Sequence, residues 1–86
     1  MPTIDTLIAT GACAVQEVLR EYAAARGTFG PFHSLHEALG VIREEYVELE
    51  TEIFKNPRER DPGALRKEAV QLAAMALMLL AETPEG

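Results

Sequence analysis

Between Glu44 and Glu52 the chain carries five glutamates, at 44, 45, 48, 50 and 52, and no basic residue. On a helical wheel of 100° per residue, Glu37, Glu44, Glu48 and Glu52 fall within about 80° of one another. Glu45 sits beside that stripe, at the border of an apolar face. Glu45 and Glu48 are one turn apart, so both side chains can converge on a single point. Like charges at that spacing destabilise a bare helix by a few tenths of a kcal/mol per pair. A face serving helix stability alone would interleave Lys or Arg. The plain reading is a solvated acidic face; the border position of Glu45 argues against it, because that is a poor place for a purely solvating charge. Further along, Glu68 is the one carboxylate in the early turns after Asp61, with Gln71 three residues on. Oxygen donors from two segments suit a hard cation, Mg²⁺ first and Mn²⁺ as the alternative. No thiolate cluster points to zinc or iron–sulfur. The single cysteine, Cys13, forms no internal disulfide and reads as a small apolar filler.

The remaining polar residues offer weaker chemistry. His33 and His36 lack the Glu-bracketed i,i+4 spacing of a zinc site and read as a loop residue and a first-turn residue. Contact with a nucleotide base or phosphate is the sharper reading, and His36 is the candidate. Arg43, Arg58, Arg60, Arg66 and Lys67 read mainly as solubilising charges; Lys67, adjacent to Glu68, is the best placed to serve as a point charge for phosphate. Ser34 has no neighbouring base to activate it as a nucleophile. A Gly-rich phosphate loop is absent from the sequence.

Three helices must position these groups. Ile4, Leu7, Ile8, Val15, Val18, Leu19 and Tyr22 recur at three and four, predicting an amphipathic helix from Ile4 to about Arg26. Gly27-Thr28-Phe29-Gly30-Pro31 then breaks the pattern. Ser34 and Glu37 form a capping box that opens a second helix, with Leu35, Leu39, Ile42, Tyr46, Leu49 and Ile53 as its apolar face. That helix is expected to end near Lys55 or Asn56, before Pro57. Asp61-Pro62 starts a third, an N-cap acid followed by proline at the first helical position, running to about Glu82. Its second half, Leu72 to Leu80, is apolar on every side, so it must be enclosed on every side. The expected cover is its counterpart in another subunit. The short charged linker 57–60 makes helices two and three antiparallel neighbours, which brings Glu68 towards Glu45 and Glu48.

Eighty-six residues make one domain, residues 1–86, and a chain this short buries only about 60–65% of the surface its unfolded form exposes. Oligomerisation would offset that. With 48% hydrophobic residues the chain is too apolar for disorder. The net charge of −6 repels phosphate backbones, so a nucleic-acid strand is excluded as a partner, whereas a nucleotide can be handled through divalent cations. No signal peptide is visible, and the longest apolar stretch falls short of the ~20 residues of a membrane span. The expectation is a cytoplasmic protein that makes no use of a membrane.

Arg43-Glu44-Glu45-Tyr46-Val47-Glu48-Leu49, followed after a linker by Glu68-Ala69-Val70-Gln71, resembles the all-alpha nucleoside triphosphate pyrophosphohydrolases of the MazG-like superfamily. His33-Ser34-Leu35-His36-Glu37 upstream and Val70 to Ala76 downstream look like the short MazG-like proteins, and the similarity spans roughly 32–82. The family pattern is Glu-Glu-x-x-Glu, a gap, then Glu-x-x-Asp. Position by position, Glu44, Glu45 and Glu48 match the first half, Glu68 matches the next acid, and the final Asp falls on Gln71. The resemblance implies an all-α, three-helix protomer in a homodimer or homotetramer. It implies Mg²⁺ held by Glu44, Glu45, Glu48, Glu68 and Gln71, and hydrolysis of a nucleoside triphosphate to monophosphate and pyrophosphate. Glu44 or Glu48 would orient or deprotonate the water. Gln71 supports the alternative of a helical interaction module, or a nucleotide- or metal-binding protein, that has lost the activity.

Overall fold

The computed structural model describes residues 1–84. Three helices account for nearly all of it: α1 (Ile4–Phe29), α2 (Leu35–Ile53) and α3 (Pro62–Glu82), with no strand among the described residues. No helix is long and apolar enough to cross a membrane. Each helix begins on a side-chain cap. The Thr3 hydroxyl accepts from the Thr6 amide at 3.1 Å, Ser34 Oγ from the Glu37 amide at 3.0 Å, and Asp61 Oδ1 from the Gly63 amide at 2.9 Å. The capping box at α2 closes one residue further out than the usual pattern. Glu37 reaches past Ser34 to accept from the His33 amide at 3.1 Å, and its other oxygen meets His33 Nδ1 at 3.0 Å.

α3 ends at Glu82 as expected, whereas the ends of α1 and α2 depart from the sequence expectation in opposite directions. α1 runs through Gly27 to Phe29 and stops at Gly30, whose φ of 71° and ψ of −167° lie where side chains with a Cβ are strained. The Gly30 amide donates to the Arg26 carbonyl at 3.0 Å and closes the last turn. α2 stops at Ile53, two or three residues early. The Arg60 guanidinium takes the freed Ile53 carbonyl at 2.7 Å, a side-chain cap supplied from the linker.

α3 lies between the other two helices; it packs against both, and α1 and α2 do not pack against each other. α2 and α3 are antiparallel, since Glu82 at the end of α3 accepts from the Phe32 amide just before α2, at 2.8 Å. α1 runs parallel to α3. Glu17 meets Arg66 near the start of α3 at 2.7 Å, while Ala25 and Phe29 share a groove with Met75 and Met78 further along. The core is small: Ala38, Ala74, Met75 and Met78.

Of the expected apolar face of α2, only Ile42 and Leu49 turn inward. Leu35, Leu39, Tyr46 and Ile53 are exposed; the residues turned inward are Ala38, Val41, Ile42, Glu45, Leu49 and Glu52. Helices approach closely where side chains are short, and Ala38 on α2 and Ala74 on α3, both fully buried, allow that approach. The apolar second half of α3 is likewise covered on two sides within the chain, leaving Ala69, Ala73, Ala76 and Leu80 as an open stripe.

Candidate metal centre and adjoining groove

The α2–α3 contact brings carboxylates together. Ligand oxygens of Glu45 and Glu48 on α2 and Glu68 on α3 all lie within 4.8 Å of one another. Glu45 and Glu68 are half-buried and Glu48 is exposed, so the cluster sits at the rim of the helix interface and opens to solvent on one side. Turned so that both of its amide atoms are satisfied, Gln71 donates from Nε2 to Glu68 Oε2 at 3.2 Å and Glu45 Oε2 at 3.3 Å. Gln71 thus bridges the two helices' acids one turn along α3 from Glu68.

Crowding shows in the protonation of the cluster. Burial, then the charge and hydrogen-bonding contact of Glu48, then the charges of Glu68 and Glu44, push the Glu45 carboxyl up to about 7. Glu68 is raised as well, by burial first and then by its contact with Glu48, with Lys67 pulling the other way. Near neutral pH the site holds protons where a cation would serve the same purpose. The donors are all oxygens, which suits Mg²⁺ or Mn²⁺. Neighbouring oxygens on one octahedral Mg²⁺ at 2.0–2.1 Å stand about 3 Å apart, so the three carboxylates would draw closer together around such an ion. Glutamate side chains at an interface rim open to solvent are free to do so, and an all-oxygen donor set drawn from two helices fits the ion.

The other glutamates of the stripe are engaged elsewhere. Glu52 is buried, pairs with Lys55 Nζ at 2.8 Å and accepts from the Asp61 amide at 3.4 Å, so it clamps the turn between α2 and α3. Lys55 holds the Glu52 carboxyl below its ordinary range. Glu37 is committed to His33 and the α2 cap. Glu44 is exposed and stands outside the three-carboxylate cluster, on the wall of an adjoining groove.

That groove, about 550 Å³, is the larger feature that sequence reasoning missed. α1 and the Gly30–His33 turn form one wall, α2 the other and α3 the floor. Glu44, Glu45 and Gln71 stand among its lining together with Phe29, Phe32, Met75 and Met78, so it joins acids to an apolar, aromatic surface. The volume is in the range of small-molecule sites. Its sequence signal was the pair of phenylalanines flanking Gly30-Pro31, which a reading of that segment as a helix breaker passed over. His33 lines the groove and His36 does not. His36 is exposed on the first turn of α2. Lys67 lies on a separate shallow surface with Glu17, Arg20, Glu21 and Val70, joined to the acidic centre through Gln71.

No protein-family model matches the chain, and no curated protein or solved structure shows significant similarity to it. What the site does must be argued from its own geometry.

Proposed function

We infer that the protein is a divalent-cation-dependent nucleotide pyrophosphohydrolase of the MazG-like kind, working as a homo-oligomer. One observation carries this reading: three carboxylates from two helices meet at a point, without a base among them, at the edge of a groove large enough for a nucleoside. Glu45, Glu48 and Glu68 would hold Mg²⁺, with the Gln71 amide oxygen turned inward as a neutral fourth donor; the ion supplies charge neutralisation for a triphosphate that a net −6 chain would otherwise repel.

The chain's own residues divide the remaining work. Phe29, Phe32, Met75 and Met78 form an apolar surface on which a base can stack. Glu44, on the groove wall beside Glu45, is positioned to orient a water or take its proton; Glu48, exposed at the edge of the cluster, is the second candidate for that role. Water would attack the α-phosphorus, its proton passing to the carboxylate, and the bond to the β-phosphate oxygen would break to release pyrophosphate and leave the nucleoside monophosphate. Lys67 can neutralise a phosphate that extends past Gln71.

The test is turnover. Purified protein with Mg²⁺ and a panel of canonical and modified nucleoside triphosphates is expected to yield monophosphate and pyrophosphate in equal amounts. Glu45→Gln should lower the rate by at least a hundredfold. The absence of both products with every substrate tried would remove the enzymatic reading. A second reading, a nucleotide- or metal-binding scaffold without turnover, is favoured by the Gln71 amide, which satisfies two carboxylates without any cation. It predicts Mg²⁺ or nucleotide binding by calorimetry with no product.

A further inference from the structure

The turn between α1 and α2 is thinly supported for a segment that walls a groove. α1 and α2 do not pack against each other, so residues 30–34 alone join them. Phe32 and His33 border a cavity on each side. The groove of about 550 Å³ lies on one, and a smaller hollow of about 240 Å³, lined also by Leu35, Leu79 and Thr83, lies on the other. With space on both sides, the backbone amides must fix the turn. Pro31 has none to offer, and the Gly30 amide is spent on closing α1. The next two each donate to a carboxylate: Phe32 to Glu82 Oε1 at 2.8 Å, and His33 to Glu37 Oε1 at 3.1 Å. Such charge-assisted bonds are roughly twice as strong as neutral ones. The Glu37 bond is exposed and local to the start of α2. The Glu82 bond is part-buried, and among the described residues it is the hydrogen bond that ties the turn to α3, the floor of the groove. Glu82 does little for α3 itself. An acid in the last turn opposes the helix dipole, and its Oε2 is buried with no partner among the described residues, an unfavourable state for a carboxylate oxygen.

We propose that Glu82 is a positioning residue for the groove, holding Phe32 where a nucleobase stacks; this rests on the reading of the groove as the nucleoside site. The groove has two distinct ends. Gln71, Met75 and Met78 follow one another along its floor, about one helical turn apart, leading from the acidic cluster to the turn that Glu82 tethers. Gln71 to Met78 is about 10 Å at 1.5 Å per residue, a length suited to a nucleoside. The phosphates therefore belong at the Glu45 end, and the base belongs between Phe32 and the methionines. Glu82 itself lines the hollow behind the turn and not the groove, so it acts through Phe32. It stands about 21 Å along α3 from Glu68, too far to bear on the ion. An aromatic wall favours binding most when its ring is already in place, because ordering a loose turn at each encounter weakens affinity. The Glu82 carboxylate settles that order during folding.

The test separates base from phosphate. Calorimetry with Mg²⁺ uses the α,β-methylene triphosphates of adenosine, guanosine, cytidine and uridine, in which the bond that water would break is replaced. Inorganic tripolyphosphate reports on the phosphates alone. The wild-type chain is expected to bind at least one of the nucleotides about tenfold or more tighter than tripolyphosphate, the size of one base–aromatic stack. Glu82→Ala should erase that preference and leave the tripolyphosphate affinity unchanged, and the Phe32 amide should lose its protection from hydrogen exchange. Glu82→Gln keeps an oxygen for that amide and should retain both preference and protection. Asp61→Ala removes the cap at the opposite end of α3, weakening the fold without touching the turn, and should also retain them. Preference kept in Glu82→Ala, an equal weakening of nucleotide and tripolyphosphate, or preference lost in Asp61→Ala would each overturn the positioning role. Where Glu82→Ala does not fold, Glu82→Asp, one methylene short of the amide, takes its place with the same expectations. A wild-type chain that binds every nucleotide no tighter than tripolyphosphate overturns the nucleoside reading of the groove itself, and the role of Glu82 falls with it.

Discussion

Glu45 and Gln71 define the problem that the acidic cluster sets for the fold. The Glu45 carboxyl ionises near 4.5 in the unfolded chain and at about 7 in the folded one. Between those values the folded state binds more protons than the unfolded state, so stability falls as pH rises from about 4.5 to about 7 and levels off above. The shift sets an upper bound of roughly 3.4 kcal/mol on that loss, at 1.36 kcal/mol per pKa unit. Thermal unfolding in EDTA across pH 5 to 8 should show this decline, and Glu45→Gln should flatten it and raise the melting temperature at pH 8. A wild-type curve that rises over that window would show that the carboxylates are not crowded. Mg²⁺ reverses the sign, because it binds the deprotonated cluster and so gains affinity as pH rises. Gln71 tempers the same repulsion by donating to Glu68 and Glu45. Gln71→Asp replaces two donated hydrogen bonds with a further negative charge. It should lower stability in EDTA by about 1–2 kcal/mol, in line with the cost of unpairing such groups, and tighten Mg²⁺ binding about tenfold or more, both measurable by denaturant titration and calorimetry. Equal Mg²⁺ affinity in the two proteins would exclude Gln71 as a neighbour of the ion.

At the scale of the elements, the starts of the helices were legible in the sequence, as was the end of α3 at Glu82, but the ends of α1 and α2 were not, for a physical reason. Starts are fixed by local chemistry: Ser34 and Asp61 each cap an amide two or three residues on, and a short window contains all the partners. Ends depend on what arrives from elsewhere. The end of α2 is set by Arg60, which reaches back seven residues to the Ile53 carbonyl. The end of α1 is set by Gly30, not by Gly27, because Gly30 alone among the described residues adopts positive φ. The cluster of Glu45, Glu48 and Glu68 was legible because antiparallel packing and one-turn spacing dictate it. Which face of α2 would turn inward was not, since apolar periodicity marks a face that needs cover without naming its cover. Leu35, Leu39 and Tyr46 satisfy the periodicity and stay exposed. The two ends of α1 therefore differ in what a substitution does. Gly30→Ala forces a Cβ into a backbone region that costs about 1–3 kcal/mol, and the denaturation midpoint should fall accordingly. Gly27→Ala, inside the helix with open space around its Cβ position, should instead stabilise by about 0.4–1 kcal/mol. A matched response of the two glycines would mean that the turn before α2 is not held as described.

For the whole molecule, the balance of covered and uncovered apolar surface is the governing quantity. Four buried apolar side chains among the described residues are a thin core, while Ile4, Leu7, Ile8, Val15 and Leu19 stand exposed on α1 alone. Within that core, Met78→Ala removes one of its two largest side chains and should cost about 2–5 kcal/mol, enough to leave much of the chain unfolded if folding were unassisted. Folding of such a chain is expected to be coupled to association, and coupling has a signature that no property of an isolated protomer reproduces. If two chains fold and pair in one step, each tenfold increase in protein concentration adds about 1.4 kcal/mol to the stability of the dimer. For a unit of this size that raises the melting temperature by about 3–5 °C per decade of concentration. Scans at 2, 20 and 200 µM, chosen as round steps of about tenfold, should therefore separate by that interval at every step. The interval should vanish for Ile8→Glu with Val15→Glu, which puts charge on the exposed apolar face of α1, and persist for Glu45→Gln, which lies away from that face at the acidic cluster and groove. A melting temperature independent of concentration in the wild-type protein would mean that the three helices hold together unaided. The exposed apolar face of α1 would then contribute nothing to stability, and the thinness of the core would have to be offset within the single chain.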